Sequence, residues 1–194
     1  MGSITVTIWV TLDGVVQGLG RADEDTRGGF THGGWGVRYN DEVMGREMAR
    51  AMAKPGDMLF GRRTWQDFIT AWGQSTDGNP ITALMNAATK YVASRTLEDV
   101  DAWQNSILLR VDAVETVAAL QAKSDGNLGI VGSASLVRSL HAAALIDHYT
   151  LLICPLTMGS GARLFEGSAP PTEFELTDSV TTTKGVIIAQ YSRR

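Results

Sequence analysis

Short apolar, β-branched runs alternate with stretches of helical periodicity along most of this chain, and nothing else in it limits the fold as strongly. Residues 4–12 read as a strand buried on both faces. Residues 41–54 place Val43, Met44, Met48 and Met52 near one helical stripe, with Asp41 and Glu42 suited to the first turn and Pro55-Gly56 as the stop. Strands are expected at residues 57–60, 90–93, 106–110, 129–131 and 148–154, and helices after residue 61 and over 112–122 and 133–144. Residues 74–80 read as a polar loop, residues 80–88 stay ambiguous between loop and short helix, and Ser133 or Ser135 is the natural cap of the 133–144 helix. Two further strands follow in succession, near residues 172–178 and 185–191. Alternating strands and helices imply an α/β fold: three αβα layers, a mainly parallel central sheet, and antiparallel strands at its C-terminal edge.

The 194 residues suit one domain spanning 1–194. With 44% hydrophobic and 20% charged residues, the chain can bury a core without a staple. Its net charge of −4 and pI near 5.3 leave no broad basic field for a nucleic-acid backbone, so no nucleic-acid partner is expected. The opening MGSITVTIWVTLDG reaches Asp13 without a basic leader and reads as a first strand, not a signal peptide. No apolar run of about 18 residues exists, so no membrane span is expected, and a cytoplasmic protein follows. Cys154 lies in the apolar run YTLLICPL and reads as a core thiol, and no metal-ligand spacing is present.

In a parallel sheet, ligands gather at the carboxyl ends of the strands. Three such ends carry distinctive residues. Gly61-Arg62-Arg63-Thr64 offers a glycine for close approach, two guanidinium forks and a hydroxyl that can cap the helix or donate to a phosphate. Ser94-Arg95-Thr96 sets another cation after another strand, and Gly132-Ser133-Ala134-Ser135 opens a helix in the manner of half a dinucleotide fingerprint. Taken singly, each is also readable as an ordinary turn. Together, in an acidic protein, they outline one crevice for a dinucleotide, and arginines near the adenosine ribose favour NADPH over NADH. The glycine-rich stretch 18–39 reads as a long mobile loop covering that site. Asp13 and Asp41 are candidate catalytic acids, for proton delivery or recognition of a ring N–H, although each also suits a structural cap. Trp35, Trp65 and Trp72 are candidates for stacking a ring or for core packing, and His32 for polarising substrate.

GRRTW resembles the cofactor motif of dihydrofolate reductase, and VASRTL its second NADPH-binding segment. The ordered set VTLDGVVQ, GGWGVRYNDE, LFGRRTWQDF, KYVASRTL, IVGSASLVRSL and LIDHYTLLICPLTMGSGARLFEG is closer to the reductase domain of the bifunctional riboflavin-biosynthesis deaminase-reductase and its stand-alone bacterial relatives. The resemblance implies a dihydrofolate-reductase-like fold and NADPH-dependent reduction of a small heterocycle, as in 5-amino-6-(5-phosphoribosylamino)uracil reductase, with a pterin as the alternative acceptor. It implies that Gly61, Arg62, Arg63 and Thr64 hold the 2′-phosphate and diphosphate side of the cofactor. Ser94 and Arg95 would hold the adenosine phosphate end, and Gly132, Ser133, Ala134 and Ser135 the diphosphate. A homodimer is likewise implied. A non-catalytic nucleotide-binding module is the other reading. The zinc ligands of the deaminase half are missing, so no deaminase activity is expected.

Overall fold

The computed structural model describes residues 2–52, 56–73, 75, 78–167 and 169–194. Eight strands form one sheet: β1 (Ser3–Thr11), β2 (Asp57–Gly61), β3 (Lys90–Ala93), β4 (Ser106–Leu109), β5 (Asn127–Val131), β6 (His148–Cys154), β7 (Phe174–Thr181) and β8 (Ile187–Arg193). Their spatial order is β4-β3-β2-β5-β1-β6-β8-β7. The six strands from β4 to β6 are parallel, while β8 runs antiparallel to β6 and β7 antiparallel to β8. This is the architecture expected from the alternating pattern. Helices α1 (Glu42–Met52), α2 (Arg62–Phe68), α3 (Pro80–Ala87), α4 (Ala113–Lys123) and α5 (Ala134–Ala142) complete it. The ambiguous stretch at 80–88 is therefore helical, with the Asn79 side chain accepting from the Ile81 N–H at 2.9 Å. The expected stop at Pro55 and part of the 74–80 loop lie outside the described residues.

The period-2 burial of the strands separates the two faces. On one, Ile4, Val6 and Ile8 of β1 and Leu128 and Ile130 of β5 pack against Val117 of α4 and Val137 and Leu140 of α5. On the other, Phe60 of β2 and Val92 of β3 meet Trp65 of α2, Met85 of α3, and Trp103. Toward β6 and β8, Leu152, Cys154 and Ile188 are covered by Met44 of α1 and by Val15, Phe30 and Trp35. Burial pushes the Cys154 thiol up to about 11, which fits the core role read from the sequence. No helix among the described residues is long and apolar enough to cross a membrane.

The glycine-rich loop after β1 is tied down at several points by hydrogen bonds. Its anchor is Gln17, which is 7% exposed. The Gln17 amide donates to the carbonyls of Asp25 (3.1 Å) and Arg27 (3.0 Å), and its oxygen accepts from the Ala162 N–H at 2.9 Å. Trp35 donates its indole N–H to the Gln17 carbonyl at 2.7 Å. Gly161 turns the facing loop at φ +106, where a side chain would meet the Phe30 ring at 2.8 Å.

Lys90 is fully buried at the start of β3, yet among the described residues no carboxylate pairs with it. Its ammonium instead donates to the carbonyls of Met85 (2.9 Å), Asn86 (3.2 Å) and Ala88 (2.7 Å), closing the C-terminal turn of α3. It also lies 4.8 Å from the Trp103 ring centroid.

Candidate active site

A cavity of about 970 Å³ runs along the carboxyl ends of β1, β2, β3 and β5. All three strand ends singled out in the sequence line it: Gly61 to Thr64, Ser94 to Thr96, and Gly132 to Ser135. They are also fastened to one another. The Gly61 N–H donates to Ser133 Oγ at 3.0 Å, and the Ser133 N–H donates to Thr64 Oγ1 at 3.1 Å. Arg62 donates to Thr96 Oγ1 at 2.7 Å, tying the loop after β2 to the loop after β3. Ser94 Oγ accepts from the N–H groups of Thr96 and Leu97 and shapes the second loop.

Two expectations about these hydroxyls need correction. Thr64 does not cap its own helix; it braces the β5 loop. Ser133 stands at the N-cap position of α5 but makes no capping bond, because its hydroxyl is engaged by Gly61. Gly132 (φ +66) and Ser133 (φ +51) are consecutive left-handed residues. That conformation costs free energy at a serine, and it sets the first residues of α5, Ala134 and Ser135, in the cavity lining. Among the described residues, the Ala134 and Ser135 N–H groups have no backbone acceptor outside the helix.

Gly61 differs from Gly132. Its φ of −80 suits any residue, and a β-carbon there would meet nothing nearer than 3.8 Å. Neither backbone nor packing requires glycine at this position. Its bare α-carbon leaves room for something in the cavity. Arg63 and Arg95 are exposed on the same rim, and neither has a hydrogen-bond or ion-pair partner among the described residues.

The loop after β1 roofs the middle of the cavity with Gly18, Leu19, Glu24 and Asp25. Arg21 fastens this roof to α2 through Asp67 at 3.2 Å, and the Asp67 carboxylate holds the guanidinium above its ordinary value. The lining also includes the apolar side chains of Trp9, Met48, Phe68, Trp72, Ile81 and Met85. Trp72 sits in a π-helical turn (Ile69–Gly73) that extends α2. Of the three tryptophans proposed for stacking, only Trp72 reaches the cavity. Trp65 is buried and donates to Ser106 Oγ at 3.1 Å, and Trp35 belongs to the core. The apolar wall, Gln17 and the Arg21–Asp67 latch were not read from the sequence.

The cavity does not bring Asp13 and Asp41 to its walls. Asp13 accepts from Thr11 Oγ1 (2.6 Å), the Met158 N–H (3.0 Å) and the Gly159 N–H (2.8 Å). The Thr11 hydroxyl first, then these amides, hold its carboxyl down to about 2. Asp41 accepts from the Met44 N–H, Thr183 Oγ1 and the Lys184 N–H, which hold it well below the usual carboxylate range. Both carboxylates join distant segments. His32 lies in a shallow recess with Trp35 and Arg38, outside the main cavity. Among the described residues no group of three or more His, Cys, Asp or Glu side chains could hold a metal ion.

Asp13→Asn is expected to cost about 1 kcal/mol at neutral pH, allowing for partial exposure. The native carboxylate contributes fully above its ordinary value of 3.8, and that contribution is lost as pH falls toward about 2. Thermal midpoints of the two proteins should therefore converge between pH 4 and 2. A constant gap would contradict the assignment.

An open, mainly parallel sheet with a long cavity across its strand ends is the layout of the dihydrofolate-reductase-like superfamily. The chain belongs to the RibD C-terminal domain family, whose model matches residues 3–188. It is 25% identical to the uncharacterized protein YyaP of Bacillus subtilis (strain 168) over 192 residues, covering 97% of this chain and 93% of that one. A crystal structure named for riboflavin biosynthesis, from Shewanella sp. PV-4, is similar with TM-score 0.74 and 19% identity, covering 99% of both chains. A pyrimidine reductase-like protein from Corynebacterium diphtheriae is similar with TM-score 0.68 and 11% identity, covering 100% of this chain and 92% of that one. These two likenesses concern the fold.

Proposed function

We propose that this protein is an NADPH-dependent reductase of a small heterocyclic substrate. The observation that carries the reading is the cavity lining, where Arg63 and Arg95, without partners among the described residues, join a Gly61 whose conformation any residue could adopt. Arg63 and Arg95 would hold the 2′-phosphate, with Arg62 kept in position by Thr96. The Ala134 and Ser135 amides would receive the diphosphate, and the bare Gly61 would let it approach the backbone. Bound there, the cofactor supplies a hydride to an electron-poor carbon. The chain's own contribution is orientation and exclusion of water by the roof that Arg21 and Asp67 fasten.

Proton delivery falls to water. Each carboxylate lining the cavity among the described residues is already committed: Glu24 to the Gly20 and Arg21 N–H groups, Asp25 to Arg27, Asp67 to Arg21, and Asp112 to capping α4. The same observation favours a second reading, a nucleotide-binding module without catalysis. NADPH oxidation that depends on an added pterin or pyrimidine would rule that module out.

Calorimetric titration tests the cofactor assignment. Saturable binding of NADPH, weaker for NADH, is expected, and no binding at millimolar NADPH would overturn it. Gly61→Ala should leave the thermal midpoint within about 2 °C, since its β-carbon meets only ordinary contacts. It should weaken NADPH binding roughly tenfold, a loss of about 1.4 kcal/mol. Unchanged affinity would remove Gly61 from the site.

A further inference from the structure

The cavity lining includes an apolar, aromatic set of side chains beside its arginines, and that set limits what the reductase can accept. It is formed by Trp9 of β1, Met48 of α1, Phe68 of α2, Trp72 of the π-helical turn, and Ile81 and Met85 of α3. Three of these six are aromatic, and all three are partly exposed rather than sealed in the core. The π turn adds one residue to the helical repeat in the segment that carries Trp72, a device often found where a helix borders a functional site.

The cations of the lining come from other positions in the chain. Arg62, Arg63 and Arg95 follow β2 and β3. Arg138 is on α5, where it pairs with Glu166 at 3.2 Å and donates to the Arg163 carbonyl at 2.7 Å. Arg27, in the roof, is taken up by Asp25. None of the six apolar lining residues is a cation, and Arg62 and Arg63 open α2 while Phe68 closes it. Of the charged lining residues, Asp67 is adjacent to Phe68 in sequence, and Arg63 precedes Phe68 by five positions.

We infer that this apolar set takes a flat, uncharged heteroaromatic ring bearing no phosphate. Aromatic faces reward a planar π system. A phosphate would be stripped of water with no cation among these six side chains to meet it. The chain thus departs from an acceptor carrying a phosphoribosyl group, such as the one its riboflavin-pathway resemblance implies. The inference rests on the NADPH reading above, because that reading assigns the arginines to the cofactor and leaves the apolar set to the acceptor.

The test uses the protein saturated with NADP⁺, which allows no turnover. Trp9 and Trp72 make ring binding visible as quenching of intrinsic fluorescence. Three probes are titrated: lumazine, uridine, and uridine 5′-monophosphate. Saturable quenching by lumazine is expected, with uridine 5′-monophosphate binding at least tenfold more weakly than uridine. Trp72→Leu should weaken lumazine binding at least tenfold while NADP⁺ affinity stays the same. Equal or tighter binding of the phosphorylated nucleoside would overturn the inference, as would lumazine binding that ignores Trp72→Leu, or no binding of any probe. Calorimetry with NADP⁺ alone separates the two claims. If NADP⁺ does not bind, the cofactor reading fails, and the same titration of the free protein still judges the apolar set.

Discussion

Replacing Arg63 and Arg95 together with alanine is expected to weaken NADPH binding about 100-fold and to change NADH binding less than about threefold. Each guanidinium would contribute one charge-assisted contact to the 2′-phosphate, worth about 1.5–3 kcal/mol apiece. Exposure on the rim argues for the low end of that range, and two such contacts then give two decades or slightly more. NADH has no 2′-phosphate and should lose only diffuse attraction. Raising ionic strength should reproduce part of the loss in the native protein and much less in the variant. Because neither side chain has a partner among the described residues, the thermal midpoint should stay put, so lost affinity could not be ascribed to unfolding. Parallel losses for NADPH and NADH, or none for either, would show that these arginines do not read the 2′-phosphate.

That prediction rests on residues legible in the sequence, because a strand end is a local feature. The apolar run 58–60 stops at Gly61, and β3 and β6 occupy the expected residues 90–93 and 148–154. What sequence could not convey is nonlocal. Insertion of β5 between β2 and β1 depends on pairing across much of the chain. Thr64 has the profile of a helix cap, yet its hydroxyl serves Ser133, 69 positions away. Asp13 and Asp41 looked available for chemistry because their consumers, Met158 and Gly159 for one and Thr183 and Lys184 for the other, lie more than 140 residues further on. Trp72 is indistinguishable in sequence from Trp65, which is buried. Trp65 lies in the α-helical turn and Trp72 in the π-helical one, a difference that the sequence does not announce.

Lys90 is the least legible residue and carries the largest stability prediction. At the head of KYVA it looks like a surface lysine, but it is fully buried and holds the last turn of α3, the helix that supplies Ile81 and Met85 to the cavity wall. Burial pulls its ammonium down from an ordinary 10.5 to about 8. The unfolded chain therefore binds more protons than the folded one between those values, and stability must rise with pH across that window. The full gain is about 3 kcal/mol, at up to about 1.4 kcal/mol per pH unit. Cys154 acts in the opposite sense from its ordinary 9.0 to about 11, since its raised thiol loses stability as pH increases. Comparison with Lys90→Met cancels that contribution, because both proteins keep the thiol. The variant removes the buried charge and leaves the Met85 and Ala88 carbonyls without their lysine donor, at about 1–3 kcal/mol each. Near pH 7 the two effects offset and the proteins should differ least. By pH 10 the native lysine is neutral but still donates, so the native protein should lead by roughly 3 kcal/mol. Urea unfolding midpoints at pH 7, 8, 9 and 10 would measure this. Parallel curves would mean that Lys90 titrates alike in the folded and unfolded chain, and that its burial carries no proton linkage.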